Sequence, residues 1–278
     1  MKLRAIFQWI GISFLGLLVV FAIAGPMFGH SVTEPSGPIF SPAGVGGHLL
    51  GTDDQGRDIL ARLAAGARVS LLVGLSVQII ALIVGVIVGV IGVFGPKWIA
   101  APLLRFTDGM FAFPDILLGI LLIGTFQAIN KGGTSLLADA LPVIVVLAVT
   151  AWPSFARLTV TTMQSLKDRE FAVAAKASGA STTYLVTKHL LPQMVGLLLA
   201  VSMVELAGTI LAESTLSFIG IGVQPPTPSW GSMVDMARRN MSSHPSLLIW
   251  PCLALSLTIF SLNFVGDGLR ERFDPRSK

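Results

Sequence analysis

Hydrophobic residues along this 278-residue chain come in long uninterrupted runs rather than in short alternations. A helix crossing roughly 30 Å of hydrocarbon needs about 20 mostly apolar residues. Six segments meet that length: Ala5–Gly29, Val69–Gly95, Phe106–Ile129, Leu136–Thr161, Gln193–Gly222 and Ser246–Val265. The pattern predicts an all-α integral membrane protein with six transmembrane helices. The first two runs carry no Asp, Glu, Lys or Arg. Ala22-Ile23-Ala24 has the form of a signal-peptidase site, yet the apolar stretch around it exceeds the roughly 7–15 residues of a signal core, so it reads as a retained anchor. In the second run, Ala81, Gly85 and Gly89 recur at four-residue spacing. A stripe of small side chains predicts close helix packing in lipid.

Composition agrees with that pattern. Hydrophobic residues make up 53% and charged residues 12%, with a mean hydropathy of +0.78, whereas a soluble domain carries about 25% charged residues. A soluble domain and a disordered chain are both excluded. The only cysteine, Cys252, rules out an internal disulfide. A net charge of +4 could point to nucleic acid, but no basic cluster on a soluble face is visible, so no nucleic-acid partner is expected. The excess is better explained by topology. With the N-terminus in the cytoplasm, twelve Lys and Arg fall on inner ends and loops (Lys2, Arg4, Lys97, Arg105, Lys167, Arg169, Lys176, Lys188, Arg270, Arg272, Arg276, Lys278). Six fall outside (Arg57, Arg62, Arg68, Lys131, Arg238, Arg239). The bias predicts that both termini are cytoplasmic.

Three polar stretches then remain: His30–Arg68 outside, Leu166–Pro192 inside and Val223–Pro245 outside. The inner one reads KDREFAVAAKASGASTTYLVTKHLLP. Asp168 is placed to cap a short helix, the alanines favour it, and Gly179 supplies a left-handed stop. Phe171, Ala174, Ala175 and Ser178 share one predicted face, opposite Arg169, Val173 and Lys176. Ser181 or Thr182 begins the next helix. Such a helix either rests on lipid headgroups or docks in a protein groove, and its Ala and Ser suit the groove.

Intramembrane carboxylates are the other candidates. Asp115, Glu205 and Glu213 each cost about 2.5–3.5 kcal/mol at a helix centre, so they must face protein or water. They either line a translocation path or bond neighbouring helices, while Asp108 and Arg157 are placed to pair. In the outer stretch GTDDQGRDILAR, Asp53, Asp54 and Asp58 lack the calcium-loop pattern. QPPTPSWG reads as a rigid connector whose Trp230 suits the interfacial belt. His30, His48, His189 and His244 show neither zinc spacing nor a nearby nucleophile, and read as scattered interfacial polar groups. No glycine-rich loop followed by Lys-Ser or Lys-Thr occurs, so the chain is expected to hold no nucleotide, cofactor or metal and to be no enzyme.

Ala174-Ala175, Gly179 and Leu191-Pro192 together resemble the cytoplasmic "EAA" loop of binding-protein-dependent ATP-binding-cassette importer permeases. Val173 departs from the glutamate usual there, and His189 from the isoleucine; Glu170 is similar to an acidic residue common in the peptide branch. HLLGTDDQGRDILARLAAGARVSLLVGL, FAFPDILLGI, LSFIGIGVQPPTPSWGSM and NFVGDGLRERFDPR resemble the dipeptide/oligopeptide/nickel permease family, in its C-type subunit, from about His48 onward. The resemblance implies a type I importer permease fold in a bacterial cytoplasmic (inner) membrane. It divides the chain into an anchor and extracytoplasmic loop, residues 1–68, and a five-span core, residues 69–278, with the coupling loop at 166–192. Glu170, Phe171, Ala174, Ala175, Ser178, Gly179, Leu191 and Pro192 would meet the ATPases, and Asp115, Glu205 and Glu213 are pathway candidates. Implied partners are a sister permease, two ATP-binding cassette ATPases, an extracytoplasmic solute-binding protein near the GTDDQGRDILAR platform, and membrane lipid. Di- and oligopeptides, nickel complexes and glutathione all remain open as solutes. Two other classes compete: a stand-alone secondary transporter using the buried carboxylates, and an intramembrane hydrolase around Gly266-Asp267-Gly268, which would need a second partnered aspartate.

Overall fold

The computed structural model describes residues 2–129 and 136–273. Lys131, Arg276 and Lys278 of the charge pattern, and the last three residues of NFVGDGLRERFDPR, lie outside the described residues. The helices are α1 (Lys2–Ala24), α2 (Ile59–Phe94), α3 (Lys97–Met110), α4 (Asp115–Ile129), α5 (Leu136–Lys167), α6 (Glu170–Ala177), α7 (Thr182–Leu185), α8 (Leu191–Phe218), α9 (Trp230–Arg239) and α10 (Ile249–Phe273). A π-turn, Val186–Leu190, joins α7 to α8. No strand occurs among the described residues.

Among the described residues five helical stretches are long and apolar enough to cross a membrane, and the bent pair α3–α4 makes a sixth if counted as one crossing. The third predicted span is therefore a broken one, with its halves meeting at 95°. Pro114 accounts for the break. It has no N–H to continue α3 and disfavours helical geometry at Phe113, while its carbonyl accepts the first bond of α4, from Leu118 N at 3.1 Å. Helix α2 begins at Ile59, earlier than Val69, because Asp58 caps it: Oδ1 accepts from Ala61 N at 2.8 Å.

Contacts along α2 fix the direction of its neighbours. Gly85 meets Trp152, Phe155 and Ala156, and Gly89 meets Ala156 and Thr159, so α2 and α5 run parallel. Ser70 bonds to Glu213 and Gly74 packs on Leu206 and Ile210, so α8 runs antiparallel to α2. The small-residue stripe is what permits the α2–α5 approach: a Cβ at Gly85 would lie 2.8 Å from Trp152 O and 2.9 Å from Ala156 N. Helix α1 lies antiparallel to α10, with Phe7 stacked on Phe264 and Gly11 on Ser261. Its far end is tied to α2, where Arg68 donates to the carbonyls of Ala22 and Ile23. One end of the bundle thus collects Lys2, Phe273, the C-termini of α2 and α5, and the whole α6–α7 segment. The other end carries residues 25–58 and α9.

Candidate coupling surface and acidic cavity

Helix α6 is eight residues long and has one fully buried side chain. Ala172 is fully buried in a cluster with Met163, Leu185, Leu190 and Met194, and Phe171 and Ala175 pack against that cluster half-buried. Glu170, Val173, Ala174, Lys176, Ser178 and Gly179 are exposed. The predicted face is therefore split: Phe171 and Ala175 turn toward the bundle, while Ala174 and Ser178 face outward. Arg169, not Asp168, occupies the N-cap, with no side-chain bond, so Asp168 does not cap α6. The helix ends as expected. Gly179 has φ +84°, its N–H donates to Lys176 O at 3.0 Å, and Ala180 N donates to Ala175 O at 3.1 Å. Ser181 then caps α7, accepting from Tyr184 N at 3.2 Å. Leu191 packs half-buried beneath, and Pro192 opens α8 exposed.

The three carboxylates separate into two settings. Asp115, the first residue of α4, and Glu205 of α8 line one cavity of about 190 Å³ with Thr150, Ser154 and Thr209. Glu213 does not reach it. It is fully buried where α2 meets α8, and accepts from Ser217 Oγ at 2.8 Å, Ser70 Oγ at 3.1 Å and Ser214 Oγ at 3.4 Å. That is the helix-bonding alternative, whereas the first two face a shared cavity. Arg157 pairs with Asp108 at 2.8 Å and lies 4.5 Å over the Phe111 ring.

At the opposite end, GTDDQGRDILAR folds around a buried ion cluster. Asp53 accepts from Arg57 Nε at 2.7 Å and lies 3.3 Å from Arg62 Nε. Asp54, Arg57, Arg62, Gln224, Asp235 and Arg239 border a cavity of about 340 Å³. Burial works to raise the Asp235 carboxyl, but hydrogen bonds from Arg239 and Arg238 outweigh it and hold the group below the usual carboxylate range. Trp230 is no interfacial anchor. It is fully buried, donates from Nε1 to Leu63 O at 3.1 Å, and presses on Gly66. Within QPPTPSWG the Pro225–Pro226 peptide is cis, and Thr227 bonds to Asp139 of α5 at 2.8 Å. Two of the four histidines come together, the rings of His30 and His48 lying 4.5 Å apart, whereas His244 stacks on Phe40 at 3.9 Å and His189 lies against Tyr184 at the other end of the bundle.

The sequence model of the binding-protein-dependent transport system inner membrane component matches residues 81–278. The chain belongs to that family. This permease is 34% identical to the oligopeptide transport system permease protein OppC of Haemophilus influenzae over 95% of its own length and 83% of the relative's. It is 36% identical to the glutathione transport system permease protein GsiD of Shigella dysenteriae serotype 1, over 83% of its length and 73% of the relative's. Its fold matches a chain of the inward-facing MetNI methionine ABC transporter with a TM-score of 0.62 at 18% identity, covering 77% of this chain and 96% of that one. It is accordingly a multi-pass membrane subunit of an ABC importer rather than an enzyme.

Proposed function

We propose that the permease forms half of the pathway of an ATP-driven importer for di- or oligopeptides, paired with a sister permease. Two ATPases would sit at the α6 end, taken as cytoplasmic together with both termini, and a solute-binding protein at the α9 end. The observation that carries the coupling reading is the outward side of α6: small and solvent-facing at Ala174, Ser178 and Gly179, on a helix anchored through Ala172. A partner that grips those small side chains moves α6 as a rigid unit, and the cluster around Ala172 passes the displacement to α5 and α8. Those two helices carry Thr150, Ser154 and Glu205 of the acidic cavity, so motion at the ATPase end reaches a path lined by Asp115 and Glu205. Glu170, Phe171, Ala175, Leu191 and Pro192 shape the same segment. Glu213 serves the pathway indirectly, by holding α2 to α8. A peptide solute is supported by similarity to the oligopeptide permease along nearly the whole chain; glutathione, itself a small peptide, is the second solute to test.

Ala174→Trp places bulk only on the outward side. In proteoliposomes holding the permease with its ATPases and sister subunit, the variant should lose ATP-driven uptake of a labelled oligopeptide presented by the binding protein. Its ATPases should no longer copurify or should run uncoupled. Normal copurification together with normal uptake would overturn the docking assignment.

A further inference from the structure

The outer segment holds a cluster that the transport reading does not use. His30, His48 and Asp58 each offer a ligand atom, and these atoms lie within 4.8 Å of one another. His48 and Asp58 are each 1% exposed, and His30 is half-buried. The two carboxylate oxygens of Asp58 have different tasks. Oδ1 accepts the capping bond from Ala61 N, which fixes the carboxylate on the first turn of α2; Oδ2 points at His48 Nδ1, 2.7 Å away. Beside them the His30 ring is tilted 36° to the His48 ring and makes no hydrogen bond among the described residues. The His48–Asp58 bond accounts for two members of the group, and the third meets them only through ring packing on His48. Gly37 adds space: a Cβ there would come within 2.6 Å of His48 Nε2, so glycine leaves the imidazole uncrowded.

We propose that His30, His48 and Asp58 bind a divalent transition ion of the zinc class, with water completing the shell. Two imidazoles and one carboxylate suit Zn²⁺ and its neighbours, not Ca²⁺ or Mg²⁺, which take oxygen ligands. Ligands held at about 2.0–2.1 Å in a tetrahedron stand roughly 3.3 Å apart. The His48–Asp58 pair opens slightly to reach that separation, and His30 closes on it. The ion takes the place of the hydrogen between His48 Nδ1 and Asp58 Oδ2; the proton of the neutral imidazole moves to Nε2, so no proton is lost, the site gains the charge of the ion, and no redox step is involved. The helix N-terminus behind Oδ1 supplies the outer-shell bond that orients the carboxylate. The site staples the segment following α1 to the cap of α2. Nothing in this assignment depends on the solute or on the ATPase contact.

The test uses the full chain, purified in detergent without a polyhistidine tag and stripped with chelator. Co²⁺ titration should give the intense visible bands of a tetrahedral site at one ion per chain, Zn²⁺ should displace it, and Zn²⁺ should raise the melting temperature. His30→Ala, at a half-buried ring that bonds to nothing in the fold, should weaken Co²⁺ binding by about ten-fold or more and abolish the Zn²⁺-dependent melting shift. Absence of a stoichiometric tetrahedral Co²⁺ spectrum overturns the proposal. So does a spectrum and melting shift that His30→Ala leaves unchanged, since the ion would then sit elsewhere.

Discussion

Replacing Ala172 with glycine isolates how firmly α6 is held to the bundle. The substitution removes one methyl from a fully buried site, worth about 0.8 kcal/mol, and puts glycine inside a helix, worth about 1 kcal/mol more. Ala174→Gly, two residues on and exposed, incurs only the second cost. The expected losses are about 2 and about 1 kcal/mol, so the population with α6 opened rises roughly 30-fold and roughly 5-fold respectively. Amide hydrogen exchange reads this directly at Ser178 and Ala180, whose N–H groups bond to Ala174 O and Ala175 O only while the helix is formed. In the purified permease, Ala172→Gly should therefore accelerate exchange at these two amides several times more than Ala174→Gly does. Equal acceleration by the two substitutions would refute the reasoning, because Ala172 would then contribute nothing beyond helix propensity.

Two further predictions concern the bundle and its α9 end. Gly85→Ala forces a Cβ onto the backbone of α5, which cannot rotate away, and should cost about 1–3 kcal/mol in thermal unfolding. Gly16→Ala, with nothing within 4 Å, should be neutral or stabilising in the same assay. Asp235 has a depressed folded-state pKa, so its contribution is complete above the unfolded carboxylate value of about 3.9 and is lost as pH falls through the lower folded value. Asp235→Asn should thus lower the melting temperature at neutral pH, and the gap to the parent should shrink only in strong acid; a gap already closing near pH 6 would contradict the Arg238 and Arg239 pairing.

Apolar run length was enough to locate five of the crossings, because the bilayer sets a minimum length for any helix that spans it, but it did not show the break in the third run. The left-handed end of α6 at Gly179 and the cap at Ser181 were legible for a similar reason: both are local and depend on residues a few positions apart. What the sequence hid depends on distance in space. An interfacial tryptophan and a packed one have the same neighbours in the chain, and only the meeting with Gly66 reveals which Trp230 is. Ala172 looked like one alanine among several until the cluster beneath it was visible. His30, His48 and Asp58 lack metal-site spacing because a folded loop, not a helix or hairpin repeat, brings them together. Pro114 was visible, but whether it kinks a helix or ends one is decided by packing.

The break at Pro114 has a mechanical corollary. Parallel neighbours such as α2 and α5 need the chain carried back across the bilayer between them, and this return trip is made by two rods with a joint rather than by one rod. A jointed strut changes its reach by altering one angle, without loosening the internal ladder of either piece. Asp115 sits at the very start of the second rod, beside the joint, so flexing there sweeps the far end of α4 through the larger arc and leaves the carboxylate close to the pivot while both helices stay whole.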